Sequence, residues 1–349
     1  MLIKNKREML ARGLAQLGLI RLLERFARRP SVLVATFHRI GEPSEGAFYD
    51  GVYSASPDAF RAHVLHLRDR FRLINLKTLV EMSDSGIAVD RPTALITFDD
   101  GYRDNYEVAW PILQELGAPA TFFIPTRFLS KPQIPIPWWD HTAYVLKQTK
   151  KRLLVLDWPE TLTLDLEQTP RGAATASIIR FYLEGRIPGG DDEARFRTHL
   201  EERAEVSLDD EALGRTLFMT WDQVRRLAGS GMTIGSHAHS HLPLATLSES
   251  DQRHELVESR RILERELDGA CKIQGLAYPF GWPSTFDAAT QRLAQEAGYR
   301  LAFTTVEGIN RPGDSAPFAL RRLNVGYHDS APLFRARTTL QTSFGASLL

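Results

Sequence analysis

The stretch Pro92-Thr93-Ala94-Leu95-Ile96-Thr97-Phe98-Asp99-Asp100-Gly101 runs from an apolar, β-rich segment straight into two acidic residues and a glycine. An apolar run of this kind reads as a strand covered on both faces. In α/β sheets and barrels, ligands gather past the carboxyl ends of the strands. The pattern therefore predicts a buried strand over 93–98 with Asp99 and Asp100 at its tip. Adjacent carboxylates repel, so burying both calls for a cation, a shared proton or several hydrogen bonds. The competing reading is a turn with a helix cap, since Asp and Gly suit both.

Further strand-like runs lie near residues 32–38, 119–124, 232–236, 274–279, 300–305 and 320–325. Helical patterns between them cover residues 58–70, 104–116, 221–228, 249–267 and 284–297. Ser56 stands before Pro57-Asp58, and Thr220 stands three residues before Gln223, as N-caps do. Gly117 and Gly298 fall where C-caps belong. Strands alternating with helices predict an α/β fold, here a β/α barrel. Residues 131–218 interrupt the alternation, opening on a Pro-rich stretch with Trp138 and Trp139 and continuing into charged helical segments such as 191–206. So long a segment is not expected to be structureless. It is predicted to be a mostly helical insertion leaving the barrel on the side of Asp99 and Asp100, where it would wall the substrate groove. Its two tryptophans then serve as packing anchors or as sugar-stacking rings.

A second cluster, Gly235-Ser236-His237-Ala238-His239-Ser240-His241, follows the run Met232-Thr233-Ile234 and holds three of the ten histidines. A four-residue spacing would put His237 and His241 on one face of a helical turn, where they could share an ion, with His239 turned elsewhere. Neutral imidazole and carboxylate are ordinary zinc ligands, and three protein ligands with an open position form the catalytic arrangement. A lone histidine is more often a surface or hydrogen-bonded core residue; this pair, joined to the aspartates, favours a metal.

These residues resemble a known family. Thr97-Phe98-Asp99-Asp100-Gly101 is similar to the first motif of the polysaccharide deacetylases, the NodB homology domain or carbohydrate esterase family 4, and His237 to His241 is similar to their second. Ala277-Tyr278-Pro279-Phe280-Gly281 resembles the third motif, and the likeness runs from about residue 31 to about residue 327. It implies a distorted, incompletely closed (β/α)7-type barrel, NodB-like, over 31–330; beyond what it implies, the residues themselves read as a helical insertion at about 131–218, a basic amphipathic helical segment at 1–30 and a C-terminal helix or tail at 331–349. It implies a hydrolase in which Asp100, His237 and His241 hold a divalent metal, zinc first with nickel or cobalt as alternatives. Asp99 becomes the general base, and the backbone N–H of Phe280 helps to bind the oxyanion.

Two departures stand out. The third motif of the best-known members begins with an arginine that pairs with the base, and Ala277 occupies that place. Arg322, in the late run Leu320 to Val325, is the preferred substitute, with Arg39 second. The usual leaving-group histidine is not evident, so His38, at the end of the first strand, is the preferred pocket histidine, with His328 as the alternative. Tyr278 and the ring of Phe280 either pack or floor a sugar site.

With 43 acidic and 43 basic residues there is no global field to attract nucleic acid or membrane. The single cysteine, Cys271, excludes an internal disulfide and a cysteine metal cluster. In the N-terminal stretch Lys4, Lys6, Arg7, Arg12, Arg21, Arg25, Arg28 and Arg29 oppose only Glu8 and Glu24, while Leu10, Leu14, Leu17 and Phe26 approximate a helical stripe. It reads as neither a signal peptide nor a membrane span, so a cytoplasmic location is expected. Such a helix either packs on the barrel or lies on the inner face of an anionic membrane, which would suit a lipid-linked sugar. The expected reaction is hydrolysis of an acetamido group on an N-acetylated carbohydrate to amine and acetate. Rival readings are an O-acetyl ester, a cyclic ureide or imide on the same fold, and a catalytically weak carbohydrate-binding scaffold.

Overall fold

Seven parallel strands close into a ring in the computed structural model of the chain: β1 (Ser31–Phe37), β2 (Pro92–Phe98), β3 (Ala120–Ile124), β4 (Thr233–Ser236), β5 (Gly275–Ala277), β6 (Leu301–Glu307) and β7 (Leu320–Asn324). The structure describes residues 8–344 apart from 10, 15, 27–29, 44–45, 87–88, 131–135, 187–190, 270 and 312–315. β1 and β2 pair along their whole length, from Ser31 opposite Pro92 to Phe37 opposite Phe98. The ring is thinnest between β4 and β5, where Ser236 opposite Leu276 is the single register pair. A NodB-like (β/α)7 barrel is thus the observed architecture, and each strand matches one of the seven apolar runs.

Strand alternation decides what faces the interior. Val32, Val34, Leu95, Phe123, Ala277, Leu301, Phe303 and Leu320 meet in one buried cluster, joined by Ile74, Leu76, Leu79 and Val80. Burying each large member stabilises the fold by about 1.5–3 kcal/mol. Gly275 leaves room for Leu76, a methyl of which would lie 2.4 Å from a Cβ at that position and would have to shift. On the outer face, Phe37, Phe98 and Phe122 stack in series at 5.6 and 4.9 Å, with Phe60 of helix Pro57–Arg70 5.1 Å from Phe37. Continuing the inward parity of Leu95 and Leu320 brings Asp99 and Arg322 to the same interior.

Helix Trp221–Gly229 starts with the Thr220/Gln223 capping box, and Gly117 ends its helix at φ 61°. Two local expectations need correction. Residues 104–116 are not one α-helix: a π-helical turn, Asn105–Ala109, precedes Trp110–Leu116, because Pro111 has no N–H to give back. The helix read over 284–297 begins only at Ala288, where Asp287 caps it by accepting the Thr290 N–H. Helix Leu76–Asp84, capped by Asn75, is additional to the sequence reading.

Residues Glu42–Val52 and Lys131–Leu217 form a second compact unit. It contains helices Trp138–Gln148, Arg171–Leu183, Asp191–Ala204 and Asp210–Leu217 and an antiparallel hairpin, Leu153–Leu156 with Leu162–Asp165. Its own core includes Leu146, Leu154, Leu164, Ile178, Phe181 and Phe196. Lys147 ties in the short segment, donating to the Gly46 and Phe48 carbonyls at 2.9 and 2.7 Å and to Asp50 at 2.6 Å. Trp139 is buried and Trp138 stacks on Tyr182 at 4.0 Å, so both act as packing anchors within this unit.

At the chain ends of the first unit, helix Leu19–Phe26 packs on helix Ala331–Phe344 through Ile20, Leu333 and Ala336. Of the N-terminal stripe, Leu14 joins that contact, Leu17 stands 74 % exposed, and Leu10 and the Phe26 side chain lie outside the described residues. No described helix is long and apolar enough to cross a membrane.

Candidate metal centre

Asp100, His237 and His241 come together at the carboxyl ends of β2 and β4, all buried, with one ligand atom of each within 4.8 Å of the others. Asp100 Oδ1 lies 3.4 Å from His237 Nε2 and 3.1 Å from His241 Nε2. His237 Nδ1 is 2.7 Å from the Ala277 carbonyl, which can only accept; that contact fixes Nδ1 as the protonated nitrogen and leaves the Nε2 lone pair directed at the centre. Asp100 Oδ1 is itself buried without a hydrogen-bond donor. A buried carboxylate oxygen facing two imidazole nitrogens fits a cation, and one carboxylate with two imidazoles is a donor set for zinc or a related divalent ion.

The aspartates make the centre electronegative, so that it attracts a cation, and the proton on His237 competes with a metal for that place. Burial, the largest influence on His237, pulls its pKa down, yet Asp99 and Asp100 together hold it above the ordinary value. At Asp100 burial is again the largest influence and would raise the pKa, but the imidazoles of His237 and His241 hold it well below the usual carboxylate range. Burial prevails at His241 and lowers its pKa, favouring the neutral ring a metal ligand must be.

The histidines do not converge through a helical turn. Residues 237–241 form an irregular loop in which Ala238 and His241 both take left-handed backbones, each at φ 59°. Asp100 (φ 71°) and Phe280 (φ 60°) share this conformation, so four of the six non-glycine residues described with positive φ sit at or beside the centre. Each costs roughly 1–3 kcal/mol and persists only where its surroundings over-determine it. The clamps are visible: the His237 N–H donates to Ile124, the Arg127 N–H to the His239 carbonyl, and the N–H groups of His239 and Ser240 both donate to Glu255 Oε2, at 2.9 and 2.7 Å. His239 Nδ1 is turned to the Thr126 hydroxyl, 2.8 Å away.

Asp99 and Arg322 form an ion pair with both side chains fully buried: Nη1 donates to Oδ1 at 2.9 Å, and Nη2 lies 2.8 Å from Oδ2 without hydrogen-bond alignment. Arg322 Nε also donates to the Thr304 carbonyl at 2.6 Å. Burial would raise the Asp99 pKa, but Arg322 first, then His237 and His38, outweigh it and hold the carboxyl below its ordinary value. Arg39 is committed elsewhere, to Asp104 at 2.7 Å. His38 is half-buried and near enough to Asp99 and Asp100 to help lower both carboxyl pKa values, whereas His328 is exposed on a turn. Tyr278 is buried, stacks on Phe286 at 4.7 Å and donates to the Phe318 carbonyl; the Phe280 ring packs edge-on against His241 at 5.0 Å.

Glu255 is the residue the sequence reading passes over. Its signal is a carboxylate on the buried stripe Gln252, Glu255, Leu256, Ser259, Ile262, Leu263 of helix Glu249–Glu266. A charge at a core-facing position is tolerated only with partners, and the two amides between the histidines are those partners.

The polysaccharide deacetylase family model matches residues 86–152 and 196–302, passing over the hairpin and one helix of the second unit. The protein YxkH of Bacillus subtilis (strain 168), named for the same family, is 21 % identical over 278 residues, covering 79 % of this chain and 67 % of its own. The deacetylase PplD of Streptococcus pyogenes, solved in complex with acetate, superposes with a TM-score of 0.56 at 18 % identity over 86 % of this chain and 95 % of that one. A de-N-acetylase from Aggregatibacter actinomycetemcomitans gives 0.53 at 17 % identity, covering 86 % and 96 %.

Proposed function

The chain belongs to the polysaccharide deacetylase family, and from that premise we propose that it is a metal-dependent hydrolase that removes acetyl from an N-acetylated carbohydrate, releasing acetate and a free amine. The observation that carries the reading is the division of labour at one strand tip. Asp100 converges with two imidazoles, while Asp99, one residue earlier, is held ionised by Arg322 and stays outside the ligand set. Asp100, His237 and His241 would hold a divalent ion, zinc first, which when bound polarises the substrate carbonyl and lowers the pKa of water to about 7. Asp99 takes the proton of the attacking water, and Arg322 keeps it charged and aimed. As the water oxygen bonds to the carbonyl carbon, the backbone N–H of Phe280, presented by its left-handed turn, supports the oxyanion. Collapse breaks the C–N bond, and His38 supplies the proton to the departing nitrogen.

The cyclic-ureide and imide reading drew on Ala277. Arg322 now stands beside the base in place of the missing arginine, which removes that ground. An N-acetyl substrate is favoured over an ester by the likeness to a de-N-acetylase. Preparations stripped with a chelator should release no acetate from N-acetylhexosamine oligomers and regain release on adding zinc, nickel or cobalt. Release that survives stripping would overturn the metal-dependent reading.

On the basic N-terminal segment, exposed Met9, Leu17, Leu19 and Leu22 support peripheral contact with an anionic membrane, where a lipid-linked substrate would be met. Cosedimentation with phosphatidylglycerol vesicles should be lost in the double variant Leu17→Ser, Leu22→Ser; unchanged cosedimentation would refute the contact.

A further inference from the structure

Of the six tryptophans only Trp282 is exposed, with 42 % of its surface in solvent. It lies just past the carboxyl end of β5 and continues a series of rings that begins at a candidate ligand: His241 to Phe280 at 5.0 Å, then Phe280 to Trp282 at 5.6 Å. The chain holds it there firmly. Gly281, at φ 67°, makes the turn possible, since a Cβ would come within 2.6 Å of the Thr305 N. Thr305 fastens the turn, donating from its hydroxyl to the Phe280 carbonyl and from its N–H to the Gly281 carbonyl. The Trp282 carbonyl accepts both the N–H and the hydroxyl of Thr285, each at 2.9 Å, and the Thr285 carbonyl accepts the Ala245 N–H at 3.0 Å.

That last bond ties the Trp282 loop to the loop after His241, whose Leu242 is 39 % exposed. Residues 242–248 and 277–286 contain no charged side chain. Two exposed apolar residues on two interlocked, uncharged loops beside a hydrolytic centre suit an uncharged occupant with flat apolar faces and polar edges. An anionic headgroup, a nucleic acid or a charged peptide would find no counter-charge there.

Resting on the deacetylase reading above, we propose that Trp282, with Leu242, forms a stacking subsite for a pyranose ring next to the one that is deacetylated, making the enzyme selective for a glycan over a single sugar. The indole offers a rigid apolar face of about the width of such a ring, at small entropic cost because only two side-chain torsions are fixed.

The test compares wild type, Trp282→Ala and Trp282→Phe, all loaded with zinc, on the N-acetylglucosamine tetramer, the monomer and 4-nitrophenyl acetate. Trp282→Ala should raise KM for the tetramer about tenfold, the order of one lost ring stack, leave kcat/KM for the ester unchanged, and be largely rescued by Trp282→Phe. An unchanged tetramer KM, or an equal fall on the ester, would overturn the subsite. Ester hydrolysis without acetate release from either sugar by wild type would instead overturn the carbohydrate reading on which the subsite rests.

Discussion

Two buried carboxylates, each paired with an arginine, stand in different regions of the first unit; one arginine is fully buried and the other is one-third exposed. At the barrel mouth, Asp99 accepts from Nη1 of Arg322, with Nη2 close beside its other oxygen. Between the terminal helices, Glu24 is gripped by Arg335 through Nε at 2.6 Å and again through Nη2. Burial is the largest influence on both acids and would raise both pKa values. At Asp99, Arg322 with His237 and His38 outweighs it, and at Glu24, Arg335 with Arg70 and then His66 does so, lowering both pKa values. The difference lies in what borders the pair. Thr339 also donates to Glu24, and Thr338 pairs with His66, so both oxygens of the clamp's carboxylate have donors. Beside Asp99 the chain turns left-handed at Asp100 and leaves Oδ1 facing two imidazoles without a donor. An ionised carboxylate is therefore no mark of function by itself; an unsatisfied, strained neighbour is.

Charge-removing substitutions should separate the two pairs most sharply. Asp99→Asn is expected to keep its metal but lower kcat by about a thousandfold, the scale of a lost general base. Glu24→Gln should leave kcat within about twofold and lower stability by roughly 1 kcal/mol, because the guanidinium it leaves unpaired is one-third exposed and screened by solvent. Metal analysis, acetate release and urea denaturation on the same preparations check both. Full activity in Asp99→Asn, or an inactive but folded Glu24→Gln, would break the comparison.

The strand tip was legible because residue type and order carry it: an apolar run, two acids, and a histidine pair four apart after another apolar run. The barrel was legible for a related reason, as buried strands of a parallel sheet have little freedom to be anything but apolar. The reason offered for the histidine spacing did not survive, since a helical turn would converge the rings cheaply whereas the chain uses two left-handed residues held by outside clamps. Nothing local fixes that choice. Arg322 is 223 positions from Asp99, so strand parity can point it inward but only closure of the ring makes the two meet. In the second unit, helical segments were readable from their charge patterns, while the hairpin was not, its strands being four residues each and half exposed.

Glu255 sharpens the same contrast, since it acts on the centre through backbone alone. Glu255→Gln keeps an acceptor for the His239 and Ser240 N–H groups, whereas Glu255→Ala removes it and frees the strained loop. The alanine variant should bind zinc about tenfold more weakly, within the range for groups that orient metal ligands, and the glutamine variant should recover most of that loss. Chelator competition reads the affinity directly. Equal affinity in all three proteins would show that the strained loop is held by Ile124 and Arg127 without help from the carboxylate.

The helix clamp has a response to acid, and its sign follows from which group is shifted. Burial, the largest influence on His63 and His66, pushes both pKa values down to about 4 from an unfolded value near 6.5. The unfolded chain therefore takes up protons between pH 6.5 and 4 that the folded chain refuses, and stability present above pH 6.5 is lost as the pH falls through that window. For fully buried His63 the loss between pH 7 and pH 6 is somewhat under about 1 kcal/mol. Glu24 adds its own loss lower down: its pKa is depressed, so its contribution, present above the unfolded value of 4.5, fades as the pH falls through the folded one. His63→Phe should remove part of the upper loss, because Phe334 already stacks on that ring at 4.2 Å and an aromatic can take its place. Thermal unfolding of wild type and His63→Phe at pH 7, 6 and 5 measures it. Parallel curves for the two proteins would place the acid sensitivity outside the clamp.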